Sequence, residues 1–237
     1  MSEQLAVPKA ESWKMFDAIS PRYDLLNRIL SLGQDARWRR QILRHLPSRK
    51  GLVVLDLATG TADVAITLAK ESSVRTVYGV DMAQEMLKVG RVKVEREGLK
   101  DKIMLQQGDA QKLNFMDATF DAVTISFGIR NVGELRLGLM EMYRVLKPGG
   151  RVIILEFSIP ENIFVRAGHW CYLNLAVPVI GFLFSGNFNA YQYLNQTIAS
   201  FPYGDRFGKI LKQMGFVRVE AHPLMQGTAT VYVGEKE

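Results

Sequence analysis

The sequence predicts an α/β fold: a mostly parallel, seven-stranded sheet with an antiparallel last strand and helices on both faces. Three observations lead to this prediction. Between residues 51 and 157, short apolar runs rich in β-branched residues alternate with amphipathic stretches, the pattern of parallel strands joined by helices. Several of these runs end in an acidic or hydroxyl side chain. The last two runs are separated by a loop containing Pro and Gly, which predicts an antiparallel pair.

The first strand, over residues 53–57, leads into the most informative turn of the chain. The run Val-Val-Leu-Asp-Leu contains Asp56, and a turn centred on Gly60 precedes a helix expected to reach Lys70. A dinucleotide site has a second glycine two residues after the first, so that the backbone can approach a pyrophosphate. That position is Ala62 here, and the carboxylate of Asp56 would repel a pyrophosphate but attract a cation. The turn therefore favours S-adenosylmethionine (SAM), which has an ammonium and a sulfonium, over NAD.

The following strands also end in polar side chains. These strands are predicted at residues 74–80, 103–107 and 120–126. Asp81 ends the first of them about 20 residues after the glycine turn, where such folds place a carboxylate on ribose hydroxyls. Asp109 follows the second and can accept from an adenine amino group, while the backbone N–H of Ala110 meets the ring. Ser126 ends the third. The carboxyl ends of parallel strands share one edge, so these groups and Asp56 predict a single cofactor cleft.

A plainer interpretation applies to each residue alone. A strand-end Asp is often only a helix cap or a turn former, and Gly60 alone is more often a turn glycine than a ligand contact. Three acids at successive strand ends are harder to explain in that way than one.

The chain is predicted to form a single domain of four parts. These are a helical lid at residues 1–50, the cofactor core at 51–157, an apolar substrate-facing insertion at 158–204, and closing elements at 205–237. Helices are predicted within residues 13–46, broken at Ser20-Pro21, and at 83–97, 134–146 and 205–214, with further strands at 151–157, 216–222 and 228–233. Residues 160–201 show no regular periodicity and are read as irregular.

Composition narrows the class and the compartment. A chain of 237 residues with 48% hydrophobic content can bury a full core. A single cysteine, Cys171, excludes a disulfide framework and fits a reducing cytoplasm, and we expect it to be a buried small group. The three histidines, His45, His169 and His222, lack metal-ligand spacing, so no metal is expected. The first residues show no signal peptide, so a cytoplasmic location is expected.

The net charge of +6 and a pI near 9.4 suit anionic partners. The densest basic run lies on and after a helix predicted at residues 36–46: Arg37, Arg39, Arg40, Arg44, Arg49 and Lys50. A merely solvated helical face is favoured, ahead of contact with an anionic membrane through Arg39 and Arg40, and RNA is the least favoured partner. No nucleic-acid-binding motif surrounds this run, so no nucleic-acid partner is expected.

Residues 170–184 are apolar but too few to span a bilayer, which needs about 20 such residues. One interpretation is a pair of buried helices that cover the sheet edge. The other is an apolar lid that receives a lipophilic substrate or enters the membrane interface, with Val177, Ile180, Phe182 and Leu183 as the side chains to be buried. The two interpretations are compatible.

From about residue 15 to residue 233, the chain resembles a family of quinone-biosynthesis C-methyltransferases. These are the demethylmenaquinone / 2-methoxy-6-polyprenyl-1,4-benzoquinol methyltransferases, which are class I SAM-dependent enzymes with a Rossmann-like fold. The most diagnostic run is Ile-Ser-Phe-Gly-Ile-Arg-Asn-Val at residues 125–132. Further matches lie at residues 15–20, 23–27, 142–150, 155–158, 191–194 and 200–202. The family's loop usually reads Gly-Thr-Gly-Asp, and Ala62 replaces its second glycine here. We expect the added methyl to perturb SAM binding without abolishing it.

The resemblance implies methylation of the ring of a polyprenyl quinol, with peripheral contact at the inner face of the cell membrane. It implies SAM contacts at Thr61, Asp81, Asp109, Ala110 and Ser126, in addition to Asp56 and Gly60 from the turn itself.

The same resemblance suggests which residues act on the substrate. Arg130 is expected to stabilise the developing oxyanion, with Asn131 orienting it, although a structural salt bridge is an alternative role for Arg130. Tyr23 and Asp24 are expected to fold over the cofactor as a lid, and Tyr193 is a weaker pocket candidate.

Several alternatives stay open on the sequence alone. The function could be that of an NAD(P)-dependent reductase, a SAM methyltransferase for another lipophilic molecule, or a non-enzymatic lipid- or RNA-binding module. Asp56 and Ala62 argue against the reductase. The ring, naphthoquinol or benzoquinol, is undecided, and so is the oligomeric state, for which a homodimer is one option.

Overall fold

The described residues of the computed structural model, 8–177 and 188–237, form one seven-stranded sheet. Its strands are β1 (Leu52–Leu57), β2 (Val74–Asp81), β3 (Ile103–Gln107), β4 (Phe120–Ser126), β5 (Leu146–Phe157), β6 (Val217–Leu224) and β7 (Ala229–Glu235). The spatial order is β3-β2-β1-β4-β5-β7-β6. Strands β1 to β5 pair in parallel, whereas β7 is antiparallel to both β5 and β6. The predicted fold class is therefore confirmed.

Helices connect the strands and cover the sheet. They are α1 (Ser12–Ile19), α2 (Tyr23–Leu30), α3 (Asp35–Leu43), α4 (Asp63–Ala69), α5 (Gln84–Arg96), α6 (Leu135–Val145), α7 (Ile163–Cys171), α8 (Phe188–Ser200) and α9 (Asp205–Gln213). The predicted helix at residues 36–46 is shorter and begins one residue earlier. The other predicted helices of the core and the closing elements agree with the structure to within about two residues at each end.

The sheet buries a different set of side chains on each face, as the two-residue period of a strand requires. In β1, Leu52 and Val54 pack into the core that contains α3 and α4. Leu55 and Leu57 point the other way, into the core that contains α6 and α9. Burial on both faces explains why β1 reads as a nearly continuous apolar run.

The strand order reverses next to β1. The chain passes from β1 to β2 on one side and later places β4 on the other side. In open α/β sheets, ligands bind beyond the carboxyl ends of the strands at such a switch point. Asp56 in β1 and Ser126 at the end of β4 therefore lie at the expected position for a ligand site.

The apolar insertion differs from the prediction of irregular structure. Its described residues form α7, a π-helical turn at Tyr172–Ala176, and α8. Val177 is fully buried and packs near Leu26, while Ile180, Phe182 and Leu183 lie outside the described residues. Within the described ranges, no helix is both long and apolar enough to cross a membrane.

The expectation that Cys171 is buried is wrong. Its side chain is exposed at the end of α7, because that helix buries none of its side chains.

Candidate active site

A cleft at the carboxyl ends of β1 and β4 consists of two adjoining cavities. The acidic cavity, of about 340 Å³, is bordered by Asp81, Asp109 and Ala110. The apolar cavity, of about 250 Å³, is bordered by Leu26, Leu173 and other side chains of the helical segments. The two cavities share the residues Phe16, Tyr23, Ala58, Gly60, Ser126 and Phe127.

The two carboxylates of the acidic cavity are fixed by backbone hydrogen bonds. Asp81 accepts from the N–H groups of Gly60 and Ala83, each at 2.8 Å. Burial raises the pKa of Asp81, and the hydrogen bonds from Ala83 and Gly60 oppose that rise. Asp109 accepts from the N–H of Gln111 at 2.8 Å. Both carboxylates are thus held at the cavity wall, where they can accept from a ribose diol or an amino group.

The turn after β1 has a left-handed backbone at three positions: Ala58 (φ 48°), Gly60 (φ 55°) and Ala62 (φ 67°). A left-handed conformation disfavours any residue with a Cβ atom, which explains why glycine is common at the place of Ala62. The Ala62 methyl is fully buried and faces Gly90 of α5. Gly128 meets the same turn, since a Cβ atom there would lie 2.5 Å from the Ala58 Cβ.

The floor of the cleft carries a buried carboxyl. Asp56 accepts from the hydroxyls of Thr59 and Thr124, both at 2.6 Å. Burial raises the pKa of Asp56 from its ordinary value to about 6, although the two hydroxyls oppose that rise. The Oγ atom of Ser126 is buried beside it and has no hydrogen-bond partner among the described residues. An unpartnered buried hydroxyl at a cavity wall indicates a place for a polar ligand group.

Arg130 lies in the wall of the apolar cavity and is buried. One guanidinium nitrogen, Nη1, donates to Glu156 Oε1 at 2.8 Å and to the carbonyl oxygen of Phe127. The guanidinium also lies 5.3 Å from the ring centroid of Phe157. The Nε atom is buried and finds no partner within the part of the chain that the structure describes. Arg130 therefore forms a structural salt bridge through Nη1 and still has a donor available at Nε.

Asn131 is bonded elsewhere. Its amide oxygen accepts from the hydroxyl of Tyr193 at 3.2 Å, so Glu156 rather than Asn131 orients Arg130. Burial raises the pKa of Tyr193, and its hydroxyl therefore stays protonated at neutral pH. Sequence reasoning missed Glu156, and the available signal was an acidic residue inside an otherwise apolar strand.

Ionic contacts hold α2 over the glycine turn. Asp24 accepts from the hydroxyl of Thr61 at 2.5 Å and from Lys93 Nζ at 2.7 Å. Lys93 also pairs with Asp63, which in turn pairs with Arg39. Arg39 is therefore paired with two carboxylates, those of Asp35 and Asp63, and is largely shielded from solvent, contrary to the expectation of a solvated face. Arg40, the other residue considered for a membrane contact, is exposed, and that contact stays a prediction. The contacts of Asp24 fit the predicted lid.

The structure brings all of the sequence-predicted site residues to this cleft. They are Tyr23, Asp56, Gly60, Thr61, Asp81, Asp109, Ala110, Ser126, Arg130 and Asn131. Their individual contacts with SAM or substrate stay predictions. Elsewhere in the described residues, the three histidines take part in no metal-binding group; His45 instead stacks on His222 with ring centroids 4.4 Å apart.

A family model described as the ubiE/COQ5 methyltransferase family matches residues 6–236. The chain belongs to the ubiE/COQ5 methyltransferase family. It is 44% identical over 224 residues to the ubiquinone/menaquinone biosynthesis C-methyltransferase of Geotalea daltonii, covering 94% of this chain and 95% of that protein. It is 41% identical over 223 residues to the demethylmenaquinone methyltransferase of Bacteroides fragilis, covering 94% and 91%.

Solved structures share the fold of this ubiE/COQ5 family member. A SAM-dependent methyltransferase of Thermotoga maritima superposes with a TM-score of 0.66 at 16% identity, covering 95% of this chain and 99% of that one. Phosphoethanolamine N-methyltransferase 2 of Haemonchus contortus, in complex with SAM, superposes with a TM-score of 0.63 at 18% identity, covering 84% and 52%. At these identities the likeness shows the fold alone.

Family and fold together make the protein a SAM-dependent methyltransferase, and the reductase alternative is not favoured. The cleft of this ubiE/COQ5 family member fits SAM by its own chemistry. The acidic cavity offers fixed carboxylates for the hydroxyl and amino groups of a nucleoside. Ser126, which borders both cavities, and Asp56 in the wall of the apolar cavity suit a cationic, hydrogen-bonding group.

Proposed function

We propose that this enzyme methylates a ring carbon of a polyprenylated quinol in menaquinone or ubiquinone biosynthesis. The observation that carries the proposal is the apolar cavity, which adjoins the residues expected to bind SAM. Arg130 lies in its wall, and the buried Nε atom of this side chain has no hydrogen-bond partner among the described residues. An apolar cavity with a buried cationic donor in its wall suits a flat aromatic ring with one oxygen to be stabilised. The names of the relatives support the same substrate class.

The chemistry explains why a donor is needed. When bound, SAM supplies an electrophilic methyl group. A quinol ring carbon is nucleophilic only as the neighbouring hydroxyl gives its proton to water or a base and its oxygen becomes anionic. The carbon that receives the methyl group then releases its own proton, which restores the aromatic ring. In a cavity shielded from water, a fixed donor aimed at that oxygen stabilises the charge strongly. Arg130 Nε is this donor in our proposal, and removing such a donor lowers turnover by roughly 10²- to 10³-fold in other enzymes.

Neighbouring residues set the geometry of Arg130. Glu156 and the carbonyl of Phe127 hold Nη1, so the guanidinium cannot turn its Nε edge away without breaking a buried ion pair. Tyr193 borders the apolar cavity, and its hydroxyl donates to Asn131, which borders the acidic cavity. Burial also raises the pKa of Tyr23, so this hydroxyl is protonated at neutral pH. It can donate a hydrogen bond there but cannot serve as the base.

The helical segments exclude water from the reaction in our proposal. We place residues 8–46 as a lid that Asp24 ties to Thr61 and Lys93, and residues 158–204 as the substrate-facing part. Alignment of the reacting centres and exclusion of water are the main sources of rate in a direct methyl transfer. A quinol with a polyprenyl tail resides in the bilayer, so we further propose that the enzyme works in the cytoplasm at the inner face of the membrane.

A methylation assay with a tailless ring tests the function. The purified enzyme is mixed with SAM and a demethylated 1,4-naphthoquinol without a tail, under reducing and oxidising conditions. We expect one added methyl group by mass spectrometry, with S-adenosylhomocysteine released in equal amount, only when the ring is reduced. A parallel reaction with the 2-methoxy-1,4-benzoquinol decides whether one or both rings are accepted.

The same assay can reject the proposal. Turnover of NADH with no methylated product would support the reductase instead. Failure to methylate either quinol, combined with methylation of an unrelated lipophilic acceptor, would assign the site to another substrate.

A further inference from the structure

Helix α7 exposes a cluster of large apolar side chains. Ile163 is 71% exposed, Phe164 85% and Trp170 60%, and Leu175 in the following π-helical turn is 62% exposed. Ile163 and Trp170 are two helical turns apart and share one line along the helix, and Phe164 lies about 100° round the helix from that line. A soluble surface seldom groups large apolar side chains in this way unless they meet a partner. We call these four residues the apolar face of α7.

The opposite side of the same helical segment borders the substrate cavity. His169, Tyr172, Leu173 and Val177 all border the apolar cavity. The Tyr172 hydroxyl donates to the carbonyl of Leu30 in the lid at 2.8 Å, which fixes this side inward. The segment is therefore a single wall, with the cavity on one side and the exposed apolar face on the other.

Two exposed apolar side chains mark the mouth of the cavity. Leu32 and Met225 border the cavity yet are 74% and 52% exposed, so they lie at its mouth. The turn that contains Met225 is tied to the loop before α7, because the Ser158 hydroxyl donates to the carbonyl of Gly227 at 2.8 Å. The mouth of the cavity and the loop that leads into α7 are therefore in contact.

Basic side chains accompany this apolar surface. Arg166 of α7 is exposed, and its guanidinium donates to the carbonyls of Pro160 and Glu161. Arg28 and Arg37, in the helices before and after Leu32, are exposed as well. An apolar face bordered by arginine suits the boundary between lipid tails and anionic headgroups, and tryptophan is favoured at that depth. The exposed carboxylate of Glu161 is the acidic group on this segment.

The size of the cavity points to the same partner. At about 250 Å³, it lies below the roughly 300–1,000 Å³ of pockets that enclose a drug-sized ligand. It can hold a ring, but a polyprenyl tail must leave through the mouth. We infer that the apolar face of α7, with Leu32 and Met225, docks on an anionic lipid bilayer, so that the quinol head enters the cavity while its tail stays in the membrane. This inference rests on the proposed quinol substrate.

Vesicle binding tests the surface directly. The full-length protein is sedimented with vesicles of phosphatidylcholine and phosphatidylglycerol, and the Phe164→Asp/Trp170→Asp double variant is compared with it. We expect the variant to bind at least tenfold more weakly, because burial of the two aromatic side chains together contributes about tenfold or more. Met116→Asp is the matched control, since Met116 is 82% exposed but borders neither cavity, and it should bind like the wild type. Both variants should fold normally by circular dichroism.

A second readout locates the contact. Brominated lipids should quench part of the tryptophan fluorescence in the wild type, and Trp170→Phe should remove that quenched part while leaving binding nearly unchanged. Quenching that persists in Trp170→Phe would overturn the inference.

Paired kinetics separate this surface from the proposed function. The double variant should methylate a tailless quinol like the wild type but lose at least tenfold in kcat/KM with a long-tailed quinol in vesicles. Equal vesicle binding by the double variant and the wild type would reject the surface while leaving the function intact. A wild-type dimer that the double variant converts to a monomer, measured by sedimentation without lipid, would show that the face binds a second copy of the chain instead. Failure of the wild type with the tailless quinol would reject the function, whatever the vesicle result.

Discussion

The two cavities of the active site are built in different ways. In the acidic cavity, the hydrogen bonds that fix the carboxylates are mostly local. Asp81 accepts from the backbone N–H of Ala83, and Asp109 accepts from the backbone N–H of Gln111, each two residues away. In the apolar cavity, the corresponding bonds join distant parts of the chain. The Tyr172 hydroxyl donates to the carbonyl of Leu30, which is 142 residues away in sequence.

This difference has a functional consequence. A cavity made of strand ends and local turns has little freedom to change, which suits a cofactor that is the same throughout a class of enzymes. A cavity made of packed helices depends on long-range contacts and can be reshaped by substitutions in those helices. The cofactor side and the substrate side should therefore respond separately to mutation, and the following changes test that separation.

The largest effect is expected from Arg130→Lys on the substrate side. Lysine keeps the positive charge opposite Glu156 but loses the planar guanidinium and its Nε donor. We expect kcat with quinol to fall by about 10²-fold or more, with the SAM dissociation constant within about twofold of wild type. Steady-state kinetics and calorimetric titration of SAM measure the two quantities. Parallel loss of both would mean that Arg130 supports the whole cleft, and the separation would fail.

Asp81→Ala makes the converse change on the cofactor side. The loss of a charged hydrogen-bond acceptor should weaken SAM binding by roughly 1.5–3 kcal/mol, or about ten- to a hundredfold. Because Asp81 also accepts from the N–H of Gly60, part of the loss comes from the glycine turn. The value of kcat at saturating SAM should change little. Asp101→Ala, at an exposed position, is the control, and unchanged SAM affinity in Asp81→Ala would refute the assignment.

Asp56 predicts how the cleft responds to pH. Its pKa is raised by burial from 3.8 to about 6, so the folded state holds this proton more tightly than the unfolded chain does. The resulting contribution to the free energy of unfolding is present in full below the ordinary pKa and is lost as the pH rises through about 6. A shift of this size corresponds to about 3 kcal/mol.

The same titration should appear in cofactor binding. The carboxylate attracts the SAM ammonium only when it is ionised, so we expect SAM affinity to fall about tenfold from pH 7 to pH 5. Asp56→Asn should bind SAM more weakly at neutral pH and lose this dependence. Calorimetric titration of SAM between pH 5 and pH 7 measures this dependence. The same pH profile in Asp56→Asn and the wild type would exclude Asp56 as the origin of the pH dependence.

The smallest effect is expected from Ala62→Gly in the glycine turn. Glycine relieves the left-handed backbone by about 1–2 kcal/mol but gives up a buried methyl group of about 0.8 kcal/mol. The two contributions nearly offset each other, so the free energy of unfolding should rise by at most about 1 kcal/mol. SAM affinity should change by less than about threefold, as measured by titration. A larger gain in affinity would show that the Ala62 methyl obstructs SAM binding.

Much of the cofactor side could be predicted from the chain itself. Strand ends are marked by a change from apolar residues to Asp or Ser, and parallel strands bring such ends to one edge. Asp56, Asp81, Asp109 and Ser126 therefore all border the cleft, as expected. The substrate side was predicted less well, since the irregular insertion proved to contain helices α7 and α8.

The sequence by itself determined the strands and helices of the core and the acidic groups at the sheet edge, because strand periodicity and turn chemistry act over a few residues. The family could be named from short runs of matching residues. Only the tertiary structure decided the partners of the charged side chains. Arg130 pairs with Glu156, which is 26 residues away in sequence, and Arg39 pairs with Asp63, whereas Trp170 is left exposed. Such outcomes depend on how whole elements pack, since burial and pairing are set by every neighbouring segment at once.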